Sequence, residues 1–176
     1  MGVAARRHLA DYQFEFRTVV SRAGRLGAEL RHANKPVASP LFDTPEMNVG
    51  YRFLDVFHLA HAVVLGWSPN TSRFLSGIES PLIDPPQDDR GIEDAISVLT
   101  FTYASLKDSD VSLMDIVDPE LVTHIQSLTR DRIDPVAAEE WDRAAQEGIA
   151  AWQRLLLGDS LVYLDFNQRR LQVSHH

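Results

Sequence analysis

Residues 46–70, EMNVGYRFLDVFHLAHAVVLGWSPN, form the longest apolar run in the chain and carry a compact group of reactive side chains. The spacing predicts a helix of about five turns. It stops at Gly66 and Ser68-Pro69, since glycine suits a helix C-terminus and proline steers the preceding residue out of the α region. At about 100° per residue, Val49, Phe53, Val56, Phe57, Ala60, Val63, Val64 and Trp67 share one broad face. Tyr51, Arg52, Asp55 and His58 fall on a narrow stripe beside it. Charged groups flanked by so much apolar surface are partly desolvated, and such groups are either paired or functional.

Around this segment the same helical period recurs. Residues 3–33 place Leu9, Tyr12, Phe16, Val19, Val20, Ala23, Leu26, Gly27 and Leu30 on one stripe, predicting a long first helix that ends at Asn34-Lys35-Pro36. A proline-rich loop follows, with Asp43 or Thr44 as N-cap of the central helix and Pro45 at its first position. Further helices are expected over 71–77, 89–106 and 119–130, and from Asp134-Pro135 to Leu157; 108–118 reads as a short helical or irregular piece. The tail SLVYLDFNQRRLQ alternates apolar and polar residues and reads as a short strand or an arm against another subunit. The expectation is an all-α bundle of four to six helices over residues 1–157, with 158–176 as a C-terminal arm or tail.

A net charge of −8 argues against binding a phosphate backbone, which needs clustered Lys and Arg, so no nucleic-acid partner is expected. With no cysteine there is no disulfide, thiolate nucleophile or thiolate metal site. Asp55, His58 and His61 interrupt the apolar run, which excludes it as a membrane span, and Arg6-Arg7 is followed by polar sequence rather than a signal-peptide core. A cytoplasmic protein is expected. The central helix is too apolar for one neighbouring helix to cover, which predicts a homodimer.

Neither a G-x-S-x-G turn nor a glycine-rich phosphate loop is present, so triad hydrolysis and P-loop nucleotide binding have no support. His58 and His61, at i and i+3, with His32 as a third donor, form one candidate metal set. His61 lies about 60° round the wheel from His58, which favours one buried and one surface histidine. The acids of Asp88-Asp89-Arg90-Gly91-Ile92-Glu93-Asp94 resemble a di-metal or diphosphate motif, but they sit where a helix start calls for negative charge, which favours a cap; Glu139, Glu140 and Asp142 are likewise first-turn acids and are expected to be solvated.

The run AELRHANKPVAS, followed by YRFLDVFHLAHAVVLGWSP, resembles the MazG-like nucleotide pyrophosphohydrolases and the dimeric all-α dUTPases. In that group a first helix with paired acids precedes a lysine loop often reading K-P-W-A-S. A second helix then carries E-x-x-D, often continued as D-x-x-H-F, and ends in L-G before a Ser/Thr-Pro or Asp-Pro. Here Lys35-Pro36-Val37-Ala38-Ser39, Asp55, His58 and Leu65-Gly66-Trp67-Ser68-Pro69 match in type and order, over residues 20–75. The resemblance implies a MazG-like core and Mg²⁺- or Mn²⁺-dependent cleavage of a (deoxy)nucleoside triphosphate to monophosphate and pyrophosphate. It implies Asp55 and Glu29 as catalytic metal ligands, with Glu46 as a further ligand. Lys35 and Arg52 become phosphate contacts, and His58 and Tyr51 contact the nucleotide. Two positions depart: Arg52 stands where the group carries Glu, and His32 replaces the second acid of the first helix. An arginine repels Mg²⁺, so an Arg52–Asp55 pair at i, i+3 would instead be a strut in a member that has lost catalysis. The alternative function is a non-catalytic acidic helical protein that binds or inhibits a protein partner.

Overall fold

The computed structural model describes residues 12–46, 49–82, 89–107, 119–129 and 136–176. The expected first helix is a hairpin there, β1 (Gln13–Val20) against β2 (Leu26–His32), in register from Phe14 opposite His32 to Val20 opposite Leu26. Its side chains obey a period of two: Tyr12, Phe14 and Phe16 are buried, while Gln13, Glu15 and Arg17 alternate with them. Tyr12 and Phe16 fit both periods, and Phe14 decides for the strand. Two glycines inside a helix would cost about 1 kcal/mol each. Gly24 instead turns the chain at φ 76°, with its N–H on the Ser21 carbonyl at 2.9 Å and the Ser21 N–H on the Arg25 carbonyl at 2.9 Å.

Lys35–Pro36 (β3) and Leu41–Phe42 (β4) both pair with β2. Between His32 and Lys35 lie Ala33 and Asn34 at φ 48° and 62°, the two-residue turn with both positions left-handed that suits a hairpin's twist. The C-terminal residues form β5 (Leu161–Asp165) and β6 (Arg170–Ser174), and β5 pairs with β1, Phe14 opposite Val162. The sheet is antiparallel throughout, ordered β3-β2-β1-β5-β6, with β4 beside β2. This overturns the all-α bundle: the domain is mixed α/β, six strands and five helices among the described residues.

The helices are α1 (Asp55–Leu65), α2 (Pro69–Phe74), α3 (Arg90–Lys107), α4 (Pro119–Thr129) and α5 (Ala138–Leu156). Helix α1 is shorter than its apolar run. Gly50, at φ 93°, breaks the run, and the Trp152 indole N–H holds its carbonyl at 3.1 Å. Tyr51 and Arg52 therefore sit on a 3₁₀ turn, Tyr51–Phe53, ahead of α1 rather than on it. The C-terminus stops as expected, Gly66 at φ 68° donating to the Ala62 carbonyl at 3.0 Å. Ser68 caps α2 by accepting from the Thr71 N–H at 2.9 Å, with Pro69 in the first turn. Helix α5 starts at Ala138, with Ala137 at its N-cap and no side-chain cap. The expected Asp134-Pro135 cap, the start of the first helix before residue 12, Asp88 and residues 108–118 lie outside the described residues.

Every residue from Asp55 to Val64 is buried, because α5, α3, α2 and the sheet surround α1. The cover that the sequence assigned to a second copy thus comes from this chain. Phe14 meets Phe74 at 6.3 Å and Phe16 meets Phe53 at 5.7 Å between ring centroids, fixing one sheet face against the helical layer. Arg169, in the turn between β5 and β6, donates its Nε–H to the Val64 carbonyl at 2.9 Å and pairs with Glu140, an acid expected to be solvated. Among the described residues no helix is long and apolar enough to cross a membrane.

Candidate functional site

Helix α3 carries the polar partners of α1. Its buried stripe is Glu93, Ile96, Ser97, Thr100, Phe101 and Ala104, at i, i+3, i+4, i+7, i+8 and i+11. Three of the six are polar. Glu93 is fully buried yet satisfied: Ser68 donates its Oγ–H to Oε1, and the Asn70 backbone N–H and Nδ2 both donate to Oε2 at 2.9 Å. Asn70 Nδ2 also donates to Asp94 Oδ1 at 2.9 Å, and Arg90 Nε donates to Asn70 Oδ1 at 3.3 Å. This fixes which end of the amide faces the acids.

His58 lies between the two helices. Its Nδ1 stands 3.1 Å from Glu93 Oε1 and 3.1 Å from Ser97 Oγ. On the other edge of the ring, Nε2 stands 3.5 Å from Asp94 Oδ1 and 3.8 Å from Asp55 Oδ1. One imidazole is thus ringed by three carboxylates. His58, Glu93 and Asp55 are buried, while the Asp94 side chain is 56% exposed and opens the group to solvent. Exposed Arg73 and Arg90 are near the opening; Arg73 acts on Asp55 through its charge.

Burial and charge pull these groups in different directions. Desolvation is the largest influence on Asp55 and raises its pKa; His58 and Arg73 pull it down, Asp94 and Glu93 push it up, and the net result is raised. For His58, burial opposes the charged form, but the Glu93 hydrogen bond and the three carboxylate charges outweigh it, and the pKa rises. Burial also works against ionised Glu93, and the hydrogen bond and charge of His58, helped by His61 and Ser68, outweigh it and lower the value. His61 has no comparable partner, and desolvation takes it to about 4.

Of the residues singled out in the sequence, the structure brings Asp55, His58 and His61 together, beside Glu93 and Asp94, and leaves the other candidates elsewhere. Glu29 lies on β2 and pairs with Arg31, two residues along the same strand face. Lys35 is exposed on β3. Glu46 is exposed before the 3₁₀ turn, its pKa lowered by hydrogen bonds from its backbone and Thr44. Tyr51 packs edge-on against Phe101 at 5.5 Å. Arg52 engages Asp43 through its backbone N–H at 3.0 Å and its guanidinium, and stacks on Phe53, so the Arg52–Asp55 strut does not form. His32 is bound to the Gln13 carbonyl at 2.7 Å within the sheet, away from the other two histidines. His61 is buried rather than at the surface, because α1 has no surface side. A cleft of about 460 Å³ lined by Gln13, Glu15, Arg31, Ala33, Asn34, Leu161 and His176 shares no residue with the cluster.

Sequence reasoning assigned Glu93 and Asp94 to a helix cap and passed over Asn70, Ser68 and Ser97 as candidate-site residues. Their signal was present: Ser68 and Asn70 flank Pro69 at the end of the apolar run, and Glu93 begins a polar stripe on α3. A family model described as the MazG C-terminal domain matches residues 8–176. No curated protein and no solved structure matches.

Proposed function

The chain belongs to the MazG C-terminal domain family, and from that premise we propose that it is a nucleotide pyrophosphohydrolase whose site is the Asp55–His58–Glu93–Asp94 cluster. The observation that carries the reading is the charge balance there: three carboxylates from two helices close on a single imidazole. Such an excess of negative charge suits a divalent cation, and the exposed Asp94 gives it a way in. The donors at the opening, Asp55 and Asp94, are hard oxygen ligands of the kind Mg²⁺ or Mn²⁺ takes while keeping several waters. When bound there, the ion would lower the pKa of a coordinated water and offset phosphate charge.

In the reaction, a water oxygen bonds to the α-phosphorus of a (deoxy)nucleoside triphosphate, its proton passing to solvent, and the bond to the α–β bridging oxygen breaks, giving monophosphate and pyrophosphate. Arg73 and Arg90 offer guanidinium groups to the phosphates, the place first assigned to Lys35 and Arg52. Asn70, oriented by Arg90 and Glu93, keeps Asp94 turned toward His58. His58, tied to Glu93 on one edge, holds Asp55 and Asp94 on the other, so the opening keeps its two carboxylates at fixed positions. The test is pyrophosphate release from a panel of nucleoside triphosphates with Mg²⁺ or Mn²⁺. Asp55→Asn should slow turnover by about 100-fold or more. Equal rates in wild type and variant would rule out the site; no turnover and no thermal response to nucleotide with metal would favour a non-catalytic binding protein.

A further inference from the structure

Behind the solvent-facing carboxylates lies a second donor set of different chemistry. His58 and His61 from α1 and Glu93 from α3 each present one ligand atom, all within 4.8 Å of one another. The three residues are 3%, 2% and 0% exposed. We propose that these residues form an inner transition-metal site, for Zn²⁺ or a similar borderline divalent ion, which ties α1 to α3.

Four observations carry it. First, His61 Nδ1 is buried without a hydrogen-bond partner, although its ring sits beside two polar groups and among Trp67 and Trp141. A buried polar atom left unpaired asks for a role, and a ligand nitrogen is one. Second, the donor type is two imidazoles and one carboxylate, which suits zinc and its neighbours rather than Mg²⁺, an ion that demands oxygens and retains waters. Third, one edge of the site already has the needed size. Tetrahedral donors about 2.0–2.2 Å from a zinc ion stand about 3.4 Å from each other, and His58 Nδ1 lies 3.1 Å from Glu93 Oε1. Only His61 has to draw in.

Fourth, outer partners stand behind two of the three ligands, His58 and Glu93. His58 Nε2 faces Asp94 and Asp55 at 3.5 and 3.8 Å, so a small shift toward either gives the carboxylate–histidine arrangement that leaves Nδ1 free to ligate. Ser68 and Asn70 orient the Glu93 carboxylate. Without metal, a proton between His58 Nδ1 and Glu93 takes the ion's place. On binding, that proton leaves to solvent and the nitrogen and oxygen lone pairs go to the metal. The inner site shares His58 and Glu93 with the nucleotide reading but does not depend on it.

The test uses the full chain stripped by chelator, then titrated with Co²⁺ as a spectroscopic stand-in and with Zn²⁺ in competition. One equivalent of Co²⁺ should give an intense tetrahedral absorption, displaced by Zn²⁺, and Zn²⁺ should raise Tm without any nucleotide. His61→Phe, which keeps an aromatic ring among the tryptophans, should weaken binding by more than the ~100-fold typical of losing an outer partner. Glu93→Gln, which keeps the shape, should do the same. His175 and His176 are the competing site, since His175 Nδ1 stands 3.1 Å from Asp159 at the surface, so the His175→Ala/His176→Ala double variant should bind as wild type does. No tight Co²⁺ binding by stripped wild type, or binding lost in that double variant but kept in His61→Phe, would overturn the proposal.

Discussion

Gly148 is where α5 touches α1, and Gly148→Ala tests whether α1 is held as described. A Cβ there would stand 2.6 Å from Phe57 Cδ1, 3.1 Å from Phe57 Cε1 and 3.4 Å from Ala60 Cβ. Ordinary carbon contacts are about 3.5–4.0 Å, so the helices must part by roughly 1 Å or the Phe57 ring must leave its rotamer. That ring is 1% exposed and has little room to move. Overpacking of this kind costs about 1–3 kcal/mol. Against it, alanine is better than glycine inside a helix by about 1 kcal/mol. The difference predicts a net loss of about 1 kcal/mol. Urea unfolding followed by fluorescence should show a lower midpoint with unchanged slope. Had α5 not met α1 here, only the propensity gain would remain; a variant more stable than wild type by about 1 kcal/mol would refute the packing argument.

Two further outcomes follow from the cluster. In metal-stripped protein, His61 refuses a proton in the folded state down to about pH 4 but accepts one near 6.5 when unfolded. The stability it contributes is therefore complete above pH 6.5 and lost as pH falls toward 4, up to about 3 kcal/mol. The pH dependence of unfolding in that window should be flatter in His61→Phe, and an unchanged profile would show that this imidazole is not buried neutral. Asn70→Ala removes the amide donors to Glu93 and Asp94, leaving the buried Glu93 Oε2 with the backbone N–H alone at a cost of about 1–3 kcal/mol; chemical denaturation within 0.5 kcal/mol of wild type, about the noise of a surface change, would contradict that role.

The helical layer was readable in the sequence wherever one element decided its own fate. Gly66 ends α1 as expected, Ser68 and Pro69 open α2 two residues before the helix expected over 71–77, and Trp141, Ala144, Ala145, Ile149 and Trp152 mark the buried side of α5. The sheet was hidden because Tyr12, Phe16, Val19 and Val20 satisfy a period of 3.6 nearly as well as one of two, and strand pairing is a long-range choice: β1 waits for β5, almost 150 residues later. The site was half legible for a related reason. Asp55 and His58 stood out against an apolar helix, whereas Glu93 and Asp94 resembled ordinary first-turn acids. An apolar stripe on α3 runs through Ile92, Ala95, Ile96, Leu99, Tyr103 and Leu106; Ile96 is buried as that stripe expects, yet Ala95 is exposed and Glu93 is buried. A stripe chosen for hydrophobicity is bound to turn a functional carboxylate outward. The motif likeness of residues 28–39 pointed to the right family while lying on strands, so it located Lys35 and Glu29 on the sheet rather than at the cluster.

The most direct test is where a nucleotide binds, independent of turnover. Backbone amide chemical shifts should be followed as a nonhydrolysable deoxynucleoside triphosphate is added with Mg²⁺. The account predicts the largest changes at Asp55, His58, Asn70, Arg90 and Asp94, lost in Asp55→Asn. Changes centred instead on Glu29 and Lys35, or on the cleft beside Arg31 and Asn34, would contradict it.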